Sequence, residues 1–331
     1  MSQHIYIISP SGAVRDPAAL RRGVRRLRAL GHHVEIDPAA LASRQRFAGD
    51  DATRLAAIHR AADSGAGVVM TTRGGYGLTR LLAGIDYRRL SRAVERGCLL
   101  VGHSDFCALQ TALLARTGVG SWAGPGVCEG FGVPSDQEPD EIMQACFCDL
   151  LSGQGEGAGW RQWPQPRSVA AGDALSTPVP TATNKRAENP ISKPLSAEWT
   201  TPNSVLWGGN LAVLVSLLGT PYFPDIQRGL LFLEDVGEHP YRIERMLSQL
   251  LHAGVLARQR AIILGQFTDY KLTPHDRGYT LNSVVAWLRS QLKVPVLTNL
   301  PFGHVPTKVM LPIGRKTRLI VSGRDAMLYW G

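Results

Sequence analysis

Gly102-His103-Ser104-Asp105 sets a hydroxyl nucleophile between the apolar run 98–101 and the helix-like run 106–114. A serine on a sharp strand-to-helix turn is lifted above the sheet. Backbone N–H groups at the helix start can then receive a developing oxyanion. Gly102 lets the chain turn without a Cβ clash. A serine at this spot also suits a helix N-cap. Phe106 stands where the common α/β-hydrolase elbow has a second glycine, so that fold is a poor fit.

A serine nucleophile needs a base, and the base needs an orienting carboxylate. Glu234 closes the apolar run 230–233 and is followed by Asp235-Val236-Gly237-Glu238-His239-Pro240. A carboxylate at the end of a buried strand is well placed to hold an imidazole. Asp235 and Glu238 read as helix caps or solvated turn residues. His304 lies in Leu300-Pro301-Phe302-Gly303-His304-Val305-Pro306, a loop tightened by glycine and prolines. His103, His239 and His275 compete with it, and spacing alone does not choose among the four. Arg73-Gly74-Gly75-Tyr76-Gly77 offers exposed N–H groups for an oxyanion. It lacks the Lys-Ser/Thr of a P-loop and the G-x-G-x-x-G of a dinucleotide site, which argues against a nucleotide cofactor.

These residues must be positioned by alternating elements. Apolar runs 5–8, 33–36, 68–72 and 99–101 read as strands. Helical spacing covers 18–30, 51–62, 78–82 and the stretch after Ser104. That alternation predicts a parallel sheet covered on both faces, with ligands at the carboxyl ends of its strands. Gly74-Gly75 and Ser104 both fall there. Residues 152–200 turn to Gly, Pro, Ser, Thr, Gln and Asn, and read as a linker with an insertion, mobile near 181–192. The chain thus divides into an α/β domain over 1–151, the linker, and a second domain over 201–331. The second domain carries helices at 210–218, 241–253 and 281–292. Its strands fall at 229–233, 261–264 and 294–299, with closing strands at 308–313 and 318–321.

The 331 residues, 44% hydrophobic and 19% charged, suffice for two cores. No apolar stretch reaches membrane-spanning length, and the first residues read as a strand rather than a signal peptide. Five cysteines without paired C-x-x-C spacing or a His cluster fit free thiols in a reducing cytoplasm and no metal site. The net charge of +9 is spread out, and its densest patch, 21–28, lacks an aromatic platform for nucleic acid.

In this order the motifs resemble those of the LD-carboxypeptidase family of serine peptidases. The resemblance is carried by Ser9-Pro10-Ser11-Gly12, Arg73-Gly74-Gly75-Tyr76-Gly77, Gly102-His103-Ser104-Asp105 and Trp207-Gly208-Gly209-Asn210-Leu211. It continues through 233–247, Phe302-Gly303-His304 and Leu311-Pro312-Ile313-Gly314. It implies Ser104 as nucleophile, Glu234 as triad carboxylate, His304 as base, and the N–H groups of Gly75 and Asp105 as oxyanion donors. Arg73 is a candidate partner for a substrate carboxylate. It further implies an N-terminal α/β domain, a β-rich α/β C-terminal domain, a homodimer, no cofactor, and a cytoplasmic role in releasing D-Ala from murein tetrapeptide. A related branch resembles microcin self-immunity peptidases that cut aminoacyl- or peptidyl-nucleotide conjugates. A non-catalytic peptide or nucleic-acid binder would not need Ser104, Glu234 and His304 together. The long 152–200 segment departs from the family pattern.

Overall fold

A computed structural model describes residues 2–164 and 198–331. The first half runs β1 (His4–Ile8), α1 (Pro17–Ala29), β2 (His33–Ile36), α2 (Asp51–Asp63), β3 (Val68–Thr71), α3 (Tyr87–Glu95), β4 (Leu99–Gly102), α4 (Cys107–Thr117), β5 (Ser121–Ala123) and α5 (Glu141–Ser152). The second runs β6 (Gly157–Arg161), β7 (Trp199–Thr200), β8 (Ser204–Asn210), α6 (Leu211–Ser216), β9 (Leu230–Val236), α7 (Pro240–His252), β10 (Ala261–Thr268), α8 (Leu281–Gln291), β11 (Val296–Leu297), β12 (Leu311–Ile313), β13 (Lys316–Ser322) and β14 (Asp325–Tyr329).

Two sheets result. The first has the order β12-β5-β4-β3-β1-β2, parallel from β5 through β2. Its strands β1, β3 and β4 are almost wholly buried, as parallel strands covered by helices must be. The second has the order β11-β10-β9-β8-β13-β14-β6, with β7 pairing beside β13. Its strands β8 to β11 are parallel, and β13, β14 and β6 join antiparallel. The first is the parallel sheet that the alternation of elements predicted, with β12 added at its edge, and the second is the β-rich α/β sheet that the resemblance implied.

Local chemistry starts the helices. Asp16 accepts the Ala18 N–H and Pro17 opens α1, whose Leu20, Val24 and Leu27 are buried against the first sheet. Asp50 and Asp140 cap α2 and α5 in the same way.

Three expectations change. The helix expected at 78–82 is instead two 3-10 turns, Leu78–Arg80 and Leu82–Gly84. Six residues between Gly77 and Gly84 cannot sustain a helix, and α3 starts only after the Asp86 cap. The closing strand expected at 308–313 is β12, but it pairs antiparallel with β5 and closes the first sheet, not the second. The expected linker carries β6 and β7, both strands of the second sheet. Its stretch 181–192, expected to be mobile, lies outside the described residues.

Because β12 crosses over, the halves share a core. Ala123 of the first sheet packs with Leu206, Phe232, Leu311 and Ile313. Helix α4 also lies against α6 and β8. Among the described residues no helix is long and apolar enough to cross a membrane, and all five cysteines are free thiols.

Candidate functional site

The site begins where β4 ends. His103 is extended, Ser104 takes a left-handed φ of 60°, and a 3-10 turn over Ser104–Phe106 leads into α4. A non-glycine residue in this region costs about 1–3 kcal/mol and persists only where its surroundings enforce it. They do so here. The Asp105 carboxylate, buried just after the serine, accepts the Leu78 N–H at 2.9 Å and ties the turn to the chain beyond the glycine loop. Ser104 caps neither element: His103 holds the cap position of the 3-10 turn and Phe106 that of α4, both without a side-chain capping bond.

The glycine loop follows β3 and passes directly over the serine. A Cβ at Gly74 would lie 2.5 Å from Ser104 Cβ and 2.6 Å from its Oγ. The Gly74 carbonyl accepts the Gly12 N–H at 3.2 Å, so the first motif of the chain steadies the second. Arg73 lies against Gly12 and Gly75, with its Nε 3.9 Å from Glu129. Burial pushes its guanidinium below the usual value.

Glu234 and His304 come together. Glu234 lies within β9, fully buried, and its Oε2 is 2.8 Å from His304 Nδ1. Gly303, at φ 146°, brings the loop close enough that a Cβ there would stand 2.9 Å from the Gln266 carbonyl oxygen and 3.3 Å from Glu234 Oε2. Burial lowers the His304 pKa, but the hydrogen bond and charge of Glu234 outweigh it, and the net shift is upward. With Nδ1 held by the carboxylate, Nε2 is the nitrogen left to act as a base. Asn210 donates to Glu234 Oε1 at 3.4 Å and to Asp235 Oδ1 at 2.9 Å. Asp235 is no solvated turn residue. It is buried and accepts the Ala212 N–H at the start of α6. Burial and the neighbouring Glu234 charge push its carboxyl up to about 6.

The other histidines are employed elsewhere. His239 caps α7 and stands 3.2 Å from Asp276, and His275 lies in the 3-10 turn Pro274–Asp276. His103 is buried with its ring 5.2 Å from that of His304, centroid to centroid, which brings the serine turn to His304. Ser104 and His304 share no hydrogen bond in this state. Such contacts often tighten only when substrate is bound.

His103 also points to residues that sequence reasoning missed. Its Nε2 lies 3.3 Å from Glu129 Oε2, while Nδ1 is buried without a partner among the described residues. Burial, then the Lys308 and His304 charges, hold His103 well below the usual imidazole value. Glu129 sits on a π turn, Val127–Phe131, a geometry often found at functional sites. The only sequence signal for it was the glycine bracket 126–132. Glu129, His103, His304 and Lys308 border one cavity of about 490 Å³.

Comparison with known proteins identifies the family. Residues 5–124 match the model of the LD-carboxypeptidase N-terminal domain, and residues 203–319 that of the LD-carboxypeptidase C-terminal domain. A crystal structure of muramoyltetrapeptide carboxypeptidase from Oxalobacter formigenes is 34% identical, covers 98% of this chain and 97% of its own, and superposes with a TM-score of 0.79. The murein tetrapeptide carboxypeptidase of Pseudomonas aeruginosa is 30% identical over 97% of this chain and 94% of its own length. The microcin C7 self immunity protein MccF, bound to aspartyl sulfamoyl adenosine, shares the fold (TM-score 0.78) at 21% identity, covering 98% of this chain and 95% of its own.

Proposed function

This chain belongs to the LD-carboxypeptidase family, and from that premise we propose that it releases the terminal D-Ala of murein tetrapeptide, L-Ala-γ-D-Glu-meso-diaminopimelate-D-Ala, through a Ser104–His304–Glu234 acyl-enzyme. The observation that carries this reading is the 2.8 Å Glu234–His304 bond, joined to a strained Ser104 through the packed rings of His103 and His304.

In this mechanism Ser104 Oγ attacks the carbonyl ahead of the D-residue while His304 Nε2 takes its proton. The carbonyl oxygen becomes an oxyanion received by the N–H groups of Gly75 and Asp105. One such donor is typically worth about 2.7–4 kcal/mol. The C–N bond breaks as His304 returns the proton to the leaving amine. Water, deprotonated by the same imidazole, then attacks the ester and restores Ser104. Glu234 fixes the tautomer throughout and stabilises the imidazolium without taking the proton. Arg73 holds the glycine loop from beneath Gly75 and faces the cavity lined by Arg15 and Arg46, where an acidic peptide finds positive charge.

We assign the protein to peptidoglycan recycling in the cytoplasm, as a homodimer. The five free thiols support a reducing compartment.

The test is release of free D-Ala from the purified tetrapeptide, with Ser104→Ala alongside and an aminoacyl-nucleotide conjugate as a second substrate. Release by the wild type alone supports substrate and nucleophile together. Cleavage of the conjugate alone overturns the substrate, and equal release by Ser104→Ala overturns the nucleophile.

A further inference from the structure

A carboxypeptidase must read a free C-terminal carboxylate, and the triad contains nothing that does so. We infer that Lys308 is the receptor for that carboxylate, and that the cavity beside His304 holds the leaving amino acid. The inference rests on the peptidase reading above and specifies how that site chooses its substrate.

Lys308 is an unusual lysine. It is only 3% exposed, yet it borders the 490 Å³ cavity together with His103, Glu129 and His304. A buried ammonium is costly unless it is paired. Its Nζ donates to the Val305 carbonyl, leaving two of its three N–H donors. The carboxylates nearest in charge are already committed. Glu234 is held by His304 and Asn210, and Glu129 faces His103 and Arg73. Asp140 accepts the Met143 N–H at 2.9 Å and the Thr307 hydroxyl at 2.6 Å. Among the described residues none of them pairs with Lys308. Burial lowers the ammonium's pKa while these acids oppose the change. The result is a desolvated cation with donors to spare, facing a hollow.

The cavity lies on the side where the chemistry needs it. His304 must hand its proton to the leaving nitrogen, so the leaving residue has to occupy space that His304 borders. A D-amino acid there presents its carboxylate to Lys308 and its amine to His304. As the C–N bond breaks, the amine takes the imidazole proton. Once free it becomes an ammonium, and Glu138, which lines the same cavity, can receive that charge. A buried cation and a carboxylate bordering one cavity fit a free amino acid better than an internal stretch of peptide. An endopeptide or a C-terminal amide would leave Lys308 desolvated and unpaired, which is the strong form of rejection.

The experiment compares kcat/KM for the tetrapeptide and for the same peptide ending in D-alaninamide. Wild type should favour the free acid by roughly 100-fold, the size expected for a buried charge pair. Lys308→Met should lose rate on the acid and bring the ratio close to one. The ratio does not depend on what fraction of the variant is folded. Equal rates on both peptides by wild type, or an unchanged preference in Lys308→Met, overturn the assignment. Should the variant not fold, inhibition of the wild type decides. D-Ala must inhibit at far lower concentration than D-alaninamide, and equal inhibition rejects Lys308. If folded wild type cleaves neither peptide, the peptidase reading itself fails, which is a different result from cleavage without discrimination.

Discussion

Gly74 passes so close to Ser104 that a methyl group on it would occupy the space of the nucleophile, 2.6 Å from Oγ. The glycine loop therefore bounds the space in which the Ser104 hydroxyl can sit. Gly74→Ala must push either the loop or the serine aside. Overpacking of this kind costs about 1–3 kcal/mol. Activity should fall by roughly 100-fold, because small misplacements of reacting groups are that expensive. Rates and denaturant midpoints measured together check this, and a variant with full activity would show that the loop yields freely.

Glu234→Gln should act on rate and on pH dependence at once. As the proposed base, His304 must be neutral to act, so its raised pKa should set the acid limb of kcat/KM above the ordinary imidazole value of 6.5. Removing the Glu234 charge leaves burial as the main influence, and burial lowers the pKa. The limb should move to lower pH while kcat drops by about 10³–10⁴, since a glutamine amide can present the wrong hydrogen-bonding group to Nδ1. A limb that stays in place would separate Glu234 from His304.

Ser104 at φ 60° stores strain that an alanine would keep and a glycine would release. Both variants should be inactive, but Ser104→Gly should be more stable than Ser104→Ala by about 1 kcal/mol. Urea denaturation of the two proteins gives the difference directly. Equal midpoints would mean that the turn carries no strain.

The Asp105 carboxylate is the acceptor for the Leu78 N–H, at a residue with no exposed surface. Asp105→Ala leaves that donor unsatisfied and should cost about 1–3 kcal/mol. Asp105→Asn retains an acceptor oxygen and should lose less. The order of melting temperatures, wild type above Asn above Ala, is the check.

What the sequence disclosed depended on whether a feature is local. The runs that became β1, β3 and β4 were plain because strands covered on both faces must be apolar throughout. The turn at Ser104 was visible for the same reason, as the point where an apolar run gives way to a helix. Its left-handed φ was not, because that is imposed by contacts with Gly74 and Leu78 some thirty residues away. Spacing left four histidines in contention, and only the folded chain shows His304 on Glu234 while His239 is engaged with Asp276. The partner of β12 could not be read from its residues, since a short apolar strand suits either sheet. Glu129 and Lys308 gave no pattern because each matters only through the cavity that distant segments enclose.

The crossover of β12 has a temporal consequence. Ser104 leaves the ribosome long before Glu234 and His304, and β5 stays an open edge until Leu311–Ile313 arrive to pair with it. The stretch that carries His304 also carries, a few residues on, the strand that fastens it to the sheet bearing Ser104. Bringing His304 to Ser104 thus waits on the late-made part of the chain. A chain stopped before residue 311 should release no D-Ala, a result read directly from a truncated preparation.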